Sequence, residues 1–154
     1  MSGFDALVIG EALAAKYASG TLTPPTGYPA VRVSTAKLPN NIPVTPWVLV
    51  VLPDGEVQID SSQQVTLNYH VIFHYGKSSG DTARDMSGMM SWIGLLLAAT
   101  FSGTTLGVSA TQFVKSALPS TFRLTVETYG GDEYYGWDIT VTVILRDLGW
   151  TMTP

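Results

Sequence analysis

Eleven consecutive residues, Val65–Tyr75 (VTLNYHVIFHY), alternate between two sets of side chains. Val65, Leu67, Tyr69, Val71, Phe73 and Tyr75 form one set. Thr66, Asn68, His70, Ile72 and His74 form the other, with Ile72 its one aliphatic member. Successive side chains of a strand point to opposite faces, so a period of two over this length predicts a β-strand with one face on a core. Any fold for this chain must supply a sheet, and an apolar layer to cover it.

The remaining segments are read around that strand. Trp47–Leu52 (WVLVVL) is a short, continuous apolar run and predicts a central strand covered at least partly on both faces. Pro53-Asp54-Gly55 predicts a turn after it. Phe122–Tyr129 alternates, with Phe122, Leu124 and Val126 on one face. Trp137–Arg146 alternates as well, with Trp137, Ile139, Val141, Val143 and Leu145 facing inward. Gly130-Gly131 and Gly136 bracket an acidic aromatic tip, Asp132-Glu133-Tyr134-Tyr135, so these last two strands read as a hairpin.

Two segments have helical spacing. Asp5–Ala18 reads as a first helix, capped by Asp5 and stopped by Gly20. A second follows the loop Gly76–Gly80, capped by Asp81 or Thr82, with Met86, Met89, Met90, Ile93, Leu96, Leu97 and Phe101 at helical intervals and Gly103 at its end. Gly88 and Gly94 lie inside it, each costing about 1 kcal/mol relative to alanine, and are read as tolerated rather than as sites of close backbone approach. Between the first helix and the first strand, Thr21–Pro46 holds six of the nine prolines, which rules out a helix. It reads as an extended arm, with Val31–Ser34 as a candidate edge strand. Thr104–Ser120 shows no clear period, with a candidate strand at Leu106–Ser109; Leu148–Pro154 reads as a frayed, flexible tail onto which Trp150 could fold back. The expected fold is a single α+β domain over residues 1–154. It is a four-stranded, mainly antiparallel sheet with two helices on one face, in the order α-β-β-α-β-β, plus the long proline-rich arm.

Composition narrows the function classes. Only 13% of residues are charged, about half the usual share, while four Trp, seven Tyr and five Phe offer interface anchors. A chain so poor in charge is expected to hide surface in partners. Eight Lys and Arg are scattered, for a net charge of −4, which argues against tight binding to nucleic-acid phosphates. The absence of cysteine excludes thiol catalysis, zinc–thiolate sites and disulfides. The N-terminus lacks a basic region and carries Asp5 and Glu11 in its apolar stretch, unlike a signal peptide, and Ile93–Ala99 is far short of the ~20 residues that cross a bilayer. Synthesis in the cytoplasm, with no membrane partner, is expected.

Motifs for chemistry fail on geometry. Gly76-Lys77-Ser78 follows a strand and precedes a helix, as a phosphate-binding loop does, but Val71 occupies the position where that loop needs glycine. His70 and His74 are four residues apart, ~13 Å along a strand at about 3.3 Å per residue, too far for one metal ion. Ser91 between Gly88 and Gly94 has the wrong spacing for a nucleophile elbow and sits within a helix. Asp132 and Glu133 read as a solvated hairpin tip, and Met86, Met89 and Met90 as core. No enzyme, cofactor or metal site is expected.

Several segments together resemble the tail terminator proteins of long, non-contractile-tailed bacteriophages. They are WVLVVLP, VTLNYHVIFHY, DTARDMSGMMSWIGLLLAATF and, most suggestive, FRLTVETYGGDEYYGWDITVTVILRD. The resemblance spans about Trp47 to Arg146, with the first helix also in place; the proline arm and Thr104–Ser120 depart from it. It implies a homo-oligomeric ring, usually of six copies, that caps the tail tube and joins it to the head connector or head-closure protein, without catalysis. DNA would only pass through its lumen. The implied location is the virion tail, and the host cytoplasm during assembly. A closing ring needs two different patches per subunit. The proline arm and the residues Asp132, Glu133, Tyr134, Tyr135, Arg123 and Arg146 are the candidates. Two other readings remain open: another head-closure, neck or tail-tube subunit, and a small-ligand-binding domain or enzyme whose site lies between sheet and helices, involving Lys77 or His74.

Overall fold

The structure is a computed structural model that describes residues 3–38, 44–58, 63–77, 82–103, 105–106, 114–129 and 131–150. Its elements are α1 (Ala6–Ala14) continued by a 3-10 turn (Ala15–Tyr17), β1 (Val33–Thr35), β2 (Trp47–Gln58), β3 (Gln64–Lys77), α2 (Thr82–Phe101), β4 (Val114–Tyr129) and β5 (Asp132–Leu145). The strands form one sheet in the order β1-β2-β3-β5-β4, parallel between β1 and β2 and antiparallel elsewhere.

The sheet therefore has five strands and is mixed, not the four-stranded sheet expected. The extra strand, β1, is the candidate edge strand of the arm, Val31–Ser34, starting two residues later and ending one residue later than expected. Tertiary contacts hold it. The Arg32 N–H donates to the Pro46 carbonyl at 2.9 Å, which sets Val33 beside Trp47. Ser34 Oγ donates to the Ala14 carbonyl at 2.5 Å, and Glu11 Oε1 accepts from the Ala36 N–H at 2.9 Å. Three residues among prolines carry almost no periodic signal, so partners outside the segment decide their conformation.

Two boundaries also move. Pro53-Asp54-Gly55 is no turn: β2 runs through it, and the register against β3 shifts between Val51 and Asp54. A bulge absorbs the proline, which an uninterrupted ladder would not tolerate. The hairpin strand begins at Val114, well before Phe122, with register shifts between Val114 and Ser116 and between Pro119 and Thr121. Those shifts break the alternation that would have shown the strand in the sequence. Of the candidate strand Leu106–Ser109, Leu106 has a left-handed φ of 61°, and residues 107–109 lie outside the described residues, as does Asp81.

The core lies between the helices and one sheet face. Ile9, Leu13 and Tyr17 from the first helical segment, and Met89, Trp92 and Leu96 from α2, are fully buried against Val48, Val50, Val71, Phe73, Ile139, Val141 and Val143. Full burial of side chains of this size contributes about 1.5–3 kcal/mol each. The alternating sets assigned to β3 and β5 hold, and Val65 to Phe73 and Trp137 to Leu145 face this core as expected. Trp137 Nε1 donates to the Met89 carbonyl at 2.8 Å and fixes α2 on β5. At the other end, Tyr69 Oη donates to the Ala6 carbonyl at 2.6 Å. Of the tail, Leu148 is buried and Trp150 stacks on Phe4 at 6.2 Å; residues 151–154 lie outside the described residues.

Asp5 caps α1 as expected, accepting from the N–H groups of Leu7 at 2.9 Å and Val8 at 3.3 Å. Asp5→Ala leaves both donors to water and is expected to lower stability by about 1 kcal/mol. Urea unfolding checks this: the midpoint should fall with the slope unchanged. An unmoved midpoint would remove the cap from the account.

Candidate functional site

The six sequence candidates do not converge. Asp132 and Glu133 open β5 and are exposed, while Arg146 follows its other end, roughly 45 Å away at about 3.3 Å per residue. Asp132–Tyr135 belongs to the strand itself, so the hairpin turn falls before it. Asp132 pairs with Lys77 at 2.9 Å, and that hydrogen bond raises the Lys77 ammonium above its usual pKa. Tyr134 is buried against Trp47 and Leu49, and Tyr135 packs partly into the main core. Arg146 Nε donates to Gln64 Oε1 at 2.8 Å. Arg123 remains largely exposed while touching Asp138 at 3.3 Å.

The helix-free sheet face is more closed than its polar residues suggest. His74 is 1% exposed, with Nδ1 at 3.4 Å from the Trp47 carbonyl and Nε2 at 3.5 Å from Glu127. His70 lies on the same face of β3, with Nδ1 at 2.9 Å from Asp138. Asp138 is buried and takes both His70 and Arg123. Two polar rows thus cross the sheet, Glu127–His74 and Arg123–Asp138–His70. The two histidines have separate partners, as their strand spacing requires. An imidazole held by a carboxylate is part of an acid–base relay, but no described hydroxyl is bonded to His70 as a nucleophile would be. Among the described residues no group of three His, Asp or Glu is arranged to hold a metal.

A second polar cluster joins the helices. Lys16 Nζ donates to the Thr100 carbonyl at 2.8 Å, at the C-terminal end of α2 where a cation is favoured. Tyr17 Oη and Thr100 Oγ1 are 2.5 Å apart. Burial lowers the Lys16 pKa and pushes Tyr17 up to about 12. Tyr69 is raised for the same reason. Between pH 10 and 12 the folded chain keeps a Tyr17 proton that the unfolded chain loses. Its contribution is full below pH 10 and is lost as pH rises through 12. Lys16 acts oppositely, favouring the fold as pH rises up to its ordinary 10.5. The Tyr17 gap corresponds to on the order of 3 kcal/mol. Stability measured by denaturant titration should therefore fall above pH 10, and Tyr17→Phe should flatten that limb. Parallel limbs for the two proteins would contradict the assignment.

A cleft of about 270 Å³ lies where the proline arm meets the start of α2. Tyr28, Pro46, Tyr75, Lys77, Arg84 and the buried Asp85 line it. Lys77 thus faces the arm and Asp132, while Val71 is fully buried in the core. Gly88 allows the Tyr75 ring to approach: a Cβ there would lie 2.2 Å from Tyr75 Oη, whereas Gly94 faces open space. Gly88 is thus a site of close approach, and only Gly94 fits the reading of a tolerated glycine.

Large apolar side chains are exposed on both helices and on β4. They include Leu7 and Val8 on α1, Met90 and Phe101 on α2, and Phe122, Leu124 and Val126 on β4. The helical spacing grouped Met90 and Phe101 with Met89 and Leu96, and Met90 was expected in the core. The buried seam of α2 instead runs through Asp85, Met89, Trp92, Leu96 and Thr100, and Trp92 was missed. Its spacing from Met89 and Leu96, at i+3 and i−4, was the available signal. No family model matches the chain, and no curated protein matches it in sequence. Among the described residues no helix is long and apolar enough to cross a membrane.

Proposed function

We propose that the chain is a virion assembly protein, a tail terminator whose copies close into a ring that caps the tail tube and joins it to the head connector. The reading rests on the resemblance of the strand and helix segments between Trp47 and Arg146. One observation carries it further. α1 packs over the β1–β2 end of the sheet and α2 over the β5–β4 end, and each exposes apolar side chains: Leu7 and Val8 on one, Met90 and Phe101 on the other. A closing ring needs two different patches per subunit, and these two apolar surfaces are the candidates for them. The sparse charge of the chain, net −4, suits a lumen through which DNA passes without sticking. In this reading the protein works in the virion tail after assembly in the host cytoplasm, and it performs no catalysis.

The test uses one charged substitution per patch, Leu7→Glu and Met90→Glu. Both side chains are exposed, so both variants should fold. Neither alone should close a ring. A mixture of differently tagged copies restores one intact pair of patches, so each variant should capture the other in excess of its own kind. Equal capture of like and unlike copies would contradict a head-to-tail contact.

A further inference from the structure

β4 is the last strand of the sheet, and no described strand pairs with its outer side. A long bare edge invites pairing, and proteins usually blunt it with proline, bulges or a short strand. The first half of β4 is blunted in this way by Pro119 and two register shifts. Thr121–Tyr129 is not. Over these nine residues the register with β5 is unbroken, with no proline or glycine. Phe122, Leu124 and Val126, on the helix side, are 41–50% exposed.

The segment is self-complementary in one antiparallel register. Arg123 and Glu127 lie on the helix-free face, two residues either side of Thr125. A two-fold axis through Thr125 sets Arg123 opposite the partner's Glu127, and Leu124 opposite the partner's Val126. Moving the axis one residue either way leaves Arg123 opposite threonine or tyrosine. Opposite charges and apolar pairs facing one another across strands each favour the pairing. The contact would also join the two polar rows into one that runs His74–Glu127, then the partner's Arg123, Asp138 and His70.

We infer that β4 is a docking edge for a second copy of this chain, paired antiparallel about Thr125 to give one continuous ten-stranded sheet. This contact is independent of the proposed ring. It relates two copies by a two-fold axis and is built from residues of β4, not from Leu7, Val8, Met90 or Phe101.

The chain contains no cysteine, so a single introduced one reports the register. Residues on the axis face each other with Cα atoms about 4.5–5.5 Å apart, within disulfide range. Thr125→Cys should therefore oxidise to a covalent dimer. Thr121→Cys should not, because its mate would lie roughly 26 Å away, eight residues at about 3.3 Å. Adding Glu127→Gln to Thr125→Cys should lower the crosslinking rate at least about twofold. Equal yields from the two cysteine positions, no yield from either, or indifference to Glu127→Gln would overturn the inference. A ring that forms without the Thr125→Cys crosslink would overturn it and leave the ring reading standing. A crosslinked dimer with no larger assembly would do the reverse.

Discussion

Trp92→Ala is expected to destabilise the fold by about 4 kcal/mol, the largest effect of any single side-chain truncation in the core. Trp92 is the largest fully buried side chain, and its ring lies 4.8 Å from that of Phe73, between α2 and the middle of the sheet. Truncation removes a bicyclic ring from a site walled by two rigid layers, which cannot close on the cavity. A loss of this size is a large part of the roughly 5–15 kcal/mol that holds a domain together. Trp92→Phe should cost much less. The buried indole N–H has no protein hydrogen-bond partner among the described residues, so phenylalanine gives up volume and no bond. Urea denaturation of the three proteins checks both statements. Similar losses for the alanine and phenylalanine variants would show that something other than ring volume is at work.

Gly136→Ala should cost about 3 kcal/mol, at the upper end for adding one methyl group to a packed site. A Cβ at this position would stand 1.9 Å from the Phe73 carbonyl oxygen and 2.9 Å from its carbon. Those atoms are backbone of the neighbouring strand and cannot rotate away. The pairing of β3 with β5 must spread where its register already shifts, between His74 and Gly76. Gly94→Ala is the opposite case: the site is open and helical, and the substitution should stabilise by about 1 kcal/mol. Thermal unfolding of the pair should move the midpoints in opposite directions. A Gly136→Ala protein as stable as its parent would mean that the strands are less closely apposed than described.

Strong periodicity made much of this architecture legible in the sequence. The alternation in β3 and in β5 identified their core-facing side chains correctly, because each strand has one face under the helices. Asp5 was readable as a cap because a cap is a local contact. What was misread depends on partners distant in sequence. The edge strand read at Val31–Ser34 is present as β1, but its bounds and its place as a fifth strand of the sheet depend on distant partners: Ser34 bonds to Ala14, and the preceding Arg32 bonds to Thr45 and Pro46. The bulges in β2 and β4 hide strand behind turn-like and aperiodic sequence. The apolar rows of the sheet run Val50–Val71–Ile139 and Val48–Phe73–Trp137, and they continue on β4 into Phe122 and Leu124, which stay about half exposed. Alternation alone cannot separate a buried row from its half-exposed end. Of the candidate surface residues, Arg123 stands at an exposed edge, Tyr134 lies inside the second small core, Asp132, Glu133 and Tyr135 lie at the start of β5, and Arg146 follows its end.

Ring formation is what the proposed role as an assembly subunit stands on. Native mass spectrometry of the purified protein, alone and with tail tubes, addresses it most directly. A closed ring of copies is expected, six in the arrangement the resemblance implies, either free or seated on the tube end. A strict monomer that stays monomeric in the presence of tail tubes would contradict it.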